Sequence, residues 1–184
     1  MAGPEVSAVS TAGPTPAERG VRLGVDVGSV RVGLATSDPD GLIATPVDTL
    51  SRPTSLARIV REVGERCAAV VYVGLPVHLS GAEGAASGAA RNYAGLLAAA
   101  VAPVSVRLVD ERMSTVSAHR ALHESGRPGR SHRQVVDQAA AVVILQSALE
   151  AERSTGMRAG EWVEVDLPVP AAQGPAADSD TTGR

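Results

Sequence analysis

Four acidic residues in this 184-residue chain stand where acids are unusual. Asp26 interrupts the apolar run VRLGVDV. Side chains alternate across a strand, so Leu23, Val25 and Val27 share one face and Gly24, Asp26 and Gly28 the other. The carboxylate thus stands on a strip cleared of side chains, open to close approach by a phosphate or a metal. A turn-forming Asp at a strand end fits the same pattern. Asp137 heads a helical stripe, with Ala140, Ala141, Ile144 and Leu145 at i+3, i+4, i+7 and i+8. A charge on a core-facing stripe is costly unless it is paired or binds a cation, whereas an Asp at a helix start needs no partner. Asp110 and Glu111 end VSVRLVD and open DERMST. Neighbours in extended chain point to opposite faces, so one of them can meet Asp26; otherwise both are solvated acids ahead of an N-capping Ser114.

Acids from two strand ends and one helix face suit two divalent cations that clamp the attacking and leaving oxygens of a phosphodiester. Composition narrows the choice. All 17 basic residues are Arg and Lys is absent, which removes the Walker A phosphate loop and every Schiff-base mechanism. The one cysteine, Cys67, excludes an intramolecular disulfide and a zinc site of several thiolates. Carboxylate chemistry with Mg²⁺ or Mn²⁺ remains.

Phosphate contacts have candidates of their own. GLPVHLSGAEG (74–84) leads from a strand into a helix, where backbone amides can cradle an anion, although such loops are as often plain turns. Arg120, Arg127, Arg130 and Arg133, with His123 and His132 between them, form a basic segment just before Asp137. It is either a solvated loop or an arm of phosphate forks. Arg31, Gly74 and Arg112 join Arg127, Arg130 and Arg133 as candidate substrate contacts.

The elements that position these residues follow from periodicity. Strands are expected at 21–27, 31–37 and 42–50 as an antiparallel meander, then at 68–74 and 104–110. Helices are expected near 54–66, 84–101, 114–124 and 133–152. This is an α/β pattern: a five-stranded mixed sheet with helices on its faces. EWVEVDL (161–167) alternates and is a possible late edge strand. Residues 1–20 and 154–184 are rich in Ala, Gly, Pro, Ser and Thr, which predicts a disordered N-terminal tail and a mostly disordered acidic C-terminal tail around a domain at 21–153. No export signal or membrane-length apolar run is visible, so a cytoplasmic protein is expected, with no membrane partner.

GVDVGSVRVGLATSD (24–38), VGLPVHLSGAEG (73–84), DERMSTVSAHRAL (110–122) and VVDQAAAVVILQSALE (135–150) together resemble, in order and spacing, the motifs of the YqgF/RuvX family. The resemblance implies an RNase H-like fold related to the RuvC resolvase, and nuclease activity in maturing the 5′ end of pre-16S rRNA. It also implies Asp26, Glu111 and Asp137 as catalytic and metal-binding acids, with Asp110 in support. Pre-rRNA or branched DNA would be the nucleic-acid partner. Met113 and Ser114 and the Arg-only loop depart mildly from the pattern. DVGSVRVG is also similar to the first phosphate loop of actin-like ATPases, but residues 21–153 leave no room for their second lobe. A non-catalytic RNA-binding assembly factor on the same fold is the other alternative.

Overall fold

The computed structural model describes residues 15–78, 80–111 and 130–165, with residues 130–137 described by their backbone alone. Strands β1 (Arg22–Val27), β2 (Arg31–Ser37) and β3 (Ala44–Ser51) form the expected antiparallel meander. The first hairpin closes where the Gly28 N–H donates to the Arg31 carbonyl at 2.9 Å. Helix α1 (Arg52–Glu65) follows directly, with Pro53 in its first turn, where a missing N–H costs nothing. Then come β4 (Val70–Leu75), α2 (Ala85–Val101), β5 (Ser105–Asp110), α3 (Arg130–Thr155) and β6 (Glu161–Trp162). The sheet order is β3-β2-β1-β4-β5-β6, with β4 parallel to β1 and β5 parallel to β4.

Each face of the sheet has its own core. Leu23, Val25, Val71 and Val73 meet α1 and α2 through Ile59, Val63, Ala94 and Leu97. Val70, Tyr72 and Val109 meet α3 through Ala141, Leu145, Ala148 and Leu149. With no Phe in the chain, alanine-rich helix faces pack closely on branched strand residues.

The sheet has six strands, not the five expected. Glu161 and Trp162, inside the segment read as a possible edge strand, pair antiparallel with Leu108 and Arg107. The cause is Arg107, which is buried and whose guanidinium donates to the Ala159 carbonyl at 2.6 Å and the Gly160 carbonyl at 2.7 Å. The returning chain satisfies those donors. Helix α3 begins three residues earlier than expected, so Arg130 and Arg133 are helical rather than in a loop. The helix expected at 114–124 lies outside the described residues. No described helix is long and apolar enough to cross a membrane.

A buried ionic cluster closes the start of the sheet. Glu152, at the far end of α3, accepts from Arg22 at 3.0 Å and from Arg158 at 2.8 Å, and the Tyr72 hydroxyl donates to the same carboxylate. Arg22 and Arg158 also donate to the Glu18 carbonyl, so residues just before β1 and just after α3 are tied together.

Candidate active site

Asp26 is 4% exposed at the C-terminal end of β1. On one side its register partner is Gly33 of β2. On the other, the pairing of Val25 with Val73 brings Gly74 of β4 beside it, one residue further along. The carboxylate-bearing position thus has a glycine on each neighbouring strand and Gly24 two residues back, all on the face that α3 covers.

Helix α3 rests on those glycines. A β-carbon added at Gly24 would stand 2.6 Å from the Leu145 β-carbon and 2.9 Å from the Ala141 carbonyl oxygen. One added at Gly74 would stand 2.5 Å from Ile144 Cδ1 and 2.7 Å from Glu111 Oε1. Glu111 follows β5 directly and lays its carboxylate over Gly74, on the α3 face. Asp110 pairs with Leu75, one position beyond the Gly74–Val109 pair, so alternation sends it to the other face. Of the two neighbouring acids it is therefore Glu111 that turns towards the face of Asp26.

The position of Asp137 follows from how α3 runs. Glu152 meets Arg22 at the start of β1, and Leu145 and Ala141 cover Gly24, so helix and strand are antiparallel. From Ala141 to Asp137 the helix rises about 6 Å, and from Gly24 to Asp26 the strand advances about 6.6 Å. The α3 backbone at Asp137 therefore comes level with Asp26. Among the described residues no three metal-ligating side chains cluster, and the Asp137 side chain is outside them.

Other expected contacts distribute as follows. Arg31 opens β2 at the same sheet end as Asp26 and is half-buried. Gly74 lies within buried β4, and its open space holds Glu111 and Ile144. In the loop after β4, the Gly84 N–H donates to Ser87 Oγ at 3.1 Å, so that amide is engaged within the chain. Arg112 and Arg127 fall outside the described residues, and Arg130 and Arg133 are described by backbone alone. Gly33, not named from the sequence, and Ile144, named only as part of the stripe below Asp137, also shape the site. The signal for Gly33 was the second Gly of the hairpin, in register with Asp26; for Ile144 it was the stripe headed by Asp137.

A three-stranded meander continued by two parallel strands, with α3 laid over acid-bearing strand ends, is a mixed α/β architecture that gathers carboxylates at one end of its sheet. The chain belongs to the RuvX family, described as Holliday junction resolvase, whose model matches residues 20–151. It is 56% identical over 151 residues to a protein of Nocardioides sp. named "Putative pre-16S rRNA nuclease", covering 79% of this chain and 97% of that one. Proteins of the same name from Streptomyces coelicolor and Thermobifida fusca are 51% and 52% identical, covering 80% and 79% of this chain and 90% and 96% of theirs. A solved structure of T. thermophilus RuvC in complex with a Holliday junction substrate is 14% identical with a TM-score of 0.49, covering 76% of this chain and 98% of that one.

Proposed function

We propose that this chain is a divalent-metal-dependent nuclease that hydrolyses phosphodiester bonds in the cytoplasm, and that it matures the 5′ end of precursor 16S rRNA. Its catalytic domain is residues 21–153 and its catalytic acids are Asp26, Glu111 and Asp137. The observation that carries this reading is the Glu111 carboxylate lying over Gly74, the strand neighbour of Asp26. The names of the relatives support the substrate.

The residues present suit a hard cation. Asp26 and Glu111 offer carboxylate oxygens, the donors Mg²⁺ and Mn²⁺ prefer, above a glycine floor that any β-carbon would fill. Asp26, Glu111 and Asp137 would hold two ions, with Asp110 in support. When bound, the ions supply Lewis-acid stabilisation of the attacking and leaving oxygens. The chain's own share is orientation. Burial at a strand end fixes Asp26, and the side-chain-free space over Gly74 receives the Glu111 carboxylate. Arg31, Arg112, Arg127, Arg130 and Arg133 bind backbone phosphates by charge-assisted forks.

The family description favours one second reading, cleavage of a branched DNA junction. Incubating the full chain with precursor 16S rRNA and with a four-way DNA junction, each with and without Mg²⁺ or Mn²⁺, tests both. The proposal expects metal-dependent cleavage of the RNA, reduced by orders of magnitude in Asp26→Asn. Preference for the junction would select the second reading. RNA binding without cleavage of either substrate would make the protein an assembly factor. Unchanged cleavage by a folded Asp26→Asn protein would overturn the site assignment.

A further inference from the structure

Beyond Asp26, β1 passes through the Gly28–Val30 turn, and this turn walls a cavity of about 680 Å³ on the side of the sheet away from α3. Ser29 and Val30 of the turn, Ser51 and Arg52 where β3 enters α1, and Asn92 and Leu96 of α2 line it. Among the described residues Arg52 is its one charged lining residue, and it is held from several directions. Its backbone N–H donates to the Val30 carbonyl at 3.0 Å, and its guanidinium donates to the Gly28 carbonyl and lies 5.7 Å from the centre of the Tyr93 ring. Tyr93 is itself fixed, its hydroxyl 2.7 Å from Ser55 Oγ. Val30 and Leu96, at 71% and 57% exposure, give the mouth an apolar rim.

A guanidinium held beside an aromatic ring, apolar walls, and hydroxyl and amide side chains in the lining make up chemistry that receives a nucleobase. The π-face stacks on Arg, the ring edges meet the hydrocarbon, and the polar edge finds hydrogen bonds. The volume lies in the range of small-ligand sites and is ample for one nucleoside. Among the described residues no acid lines the cavity to repel a polyanion. Its wall is the turn that begins two residues after Asp26, so the mouth and the acids share one end of the sheet on opposite faces, and a strand that rounds this end from the acids reaches the mouth. We infer that this cavity captures one unpaired base of the substrate strand, stacked on Arg52, and so fixes the register of the scissile phosphate. The inference rests on the nuclease reading and adds to it a requirement for unpaired bases next to the cut.

The test is an abasic scan. A single-stranded oligoribonucleotide carrying one abasic site, moved position by position, is bound to the full chain in an Asp26→Asn background that prevents cleavage. One position is expected to weaken binding about tenfold or more, while its neighbours change little. Adding Arg52→Ala should weaken the intact strand by a similar factor and abolish the effect of that position. Leu96→Glu, at an exposed site on α2 where misfolding is not at issue, should do the same. A flat scan alongside metal-dependent cleavage by the wild type overturns the cavity and leaves the nuclease reading standing. A positional effect that survives unchanged in both variants also overturns it. Absence of both binding and cleavage overturns the two together.

Discussion

Glu111 Oε1 lies 2.7 Å from the point where a β-carbon on Gly74 would stand. The strand neighbour of Asp26 lacks a side chain, and an acid just past the end of the next strand fills the gap. Sheet register and site composition are therefore one constraint.

Gly74→Ala tests that constraint. The added carbon meets the far ends of two side chains, Ile144 and Glu111, so the fold should survive with a loss of about 1–3 kcal/mol. Displacing the Glu111 carboxylate by about 1 Å should lower cleavage about a hundredfold. Gly95→Ala on α2, where an added β-carbon meets nothing within 4 Å, should leave cleavage unchanged. Thermal melts and single-turnover cleavage of the three proteins separate the effects.

Carboxylates brought together repel one another, and a cation bound only by the folded state stabilises it by mass action. Mg²⁺ or Mn²⁺ should raise the melting temperature of the wild type. The rise should vanish in Asp26→Asn/Asp137→Asn. Equal shifts in both proteins would put the ion elsewhere.

Replacing Arg127, Arg130 and Arg133 with Ala should weaken nucleic-acid binding and flatten its salt dependence. Each lost phosphate contact removes a slope of roughly 0.7 to 0.9, according to strand type. Cleavage at saturating nucleic acid should stay near wild type. Affinity titrations at several salt concentrations in the Asp26→Asn background decide the matter, and an unaltered slope would assign these residues to the solvated surface.

Glu152→Ala should cost about 3–5 kcal/mol in urea unfolding, because it leaves the buried guanidinium groups of Arg22 and Arg158 without their carboxylate. By contrast, Asp40→Ala breaks an exposed pair with Arg19 and should cost under about 1 kcal/mol.

Burial, and then the Glu152 carboxylate beside it, raises the Tyr72 phenol above its ordinary value of 10.0. A folded-state pKa above the unfolded one gives stability that is fully present below about pH 10 and lost as pH rises towards the folded value, because the unfolded phenol releases its proton first. Unfolding free energy measured from pH 8 to 11 should fall above pH 10. Tyr72→Phe should remove the part of that slope due to this group.

The meander and the face of Asp26 were legible because alternation is local: one apolar run with Gly at every second place states which side is cleared. The stripe below Asp137 was legible for the same reason at helical period. The ionic cluster was not, since Arg22 and Glu152 are 130 residues apart and no spacing rule links them. Its traces were nonetheless present: Arg22 shares the strand face of Gly24 and Asp26, and Glu152 continues the stripe of Leu145, Ala148 and Leu149. β6 was only half legible, because two residues of strand are too short for a period and their pairing depends on what Arg107 needs. The choice between Asp110 and Glu111 also needed the structure, which shows the longer side chain reaching back over Gly74.

The near-equality of one helical turn and two strand steps on the α3 face has a genetic corollary. Each residue inserted or deleted between positions 137 and 141 turns everything upstream by about 100° around the helix axis while moving it only about 1.5 Å along. Position 137 would leave the sheet side with scarcely any change in length. Substitutions at 138–141 are a matter of degree, but a single-codon insertion or deletion there is a change of phase. It should abolish cleavage in a chain whose Ala141–Glu152 packing still holds the fold together.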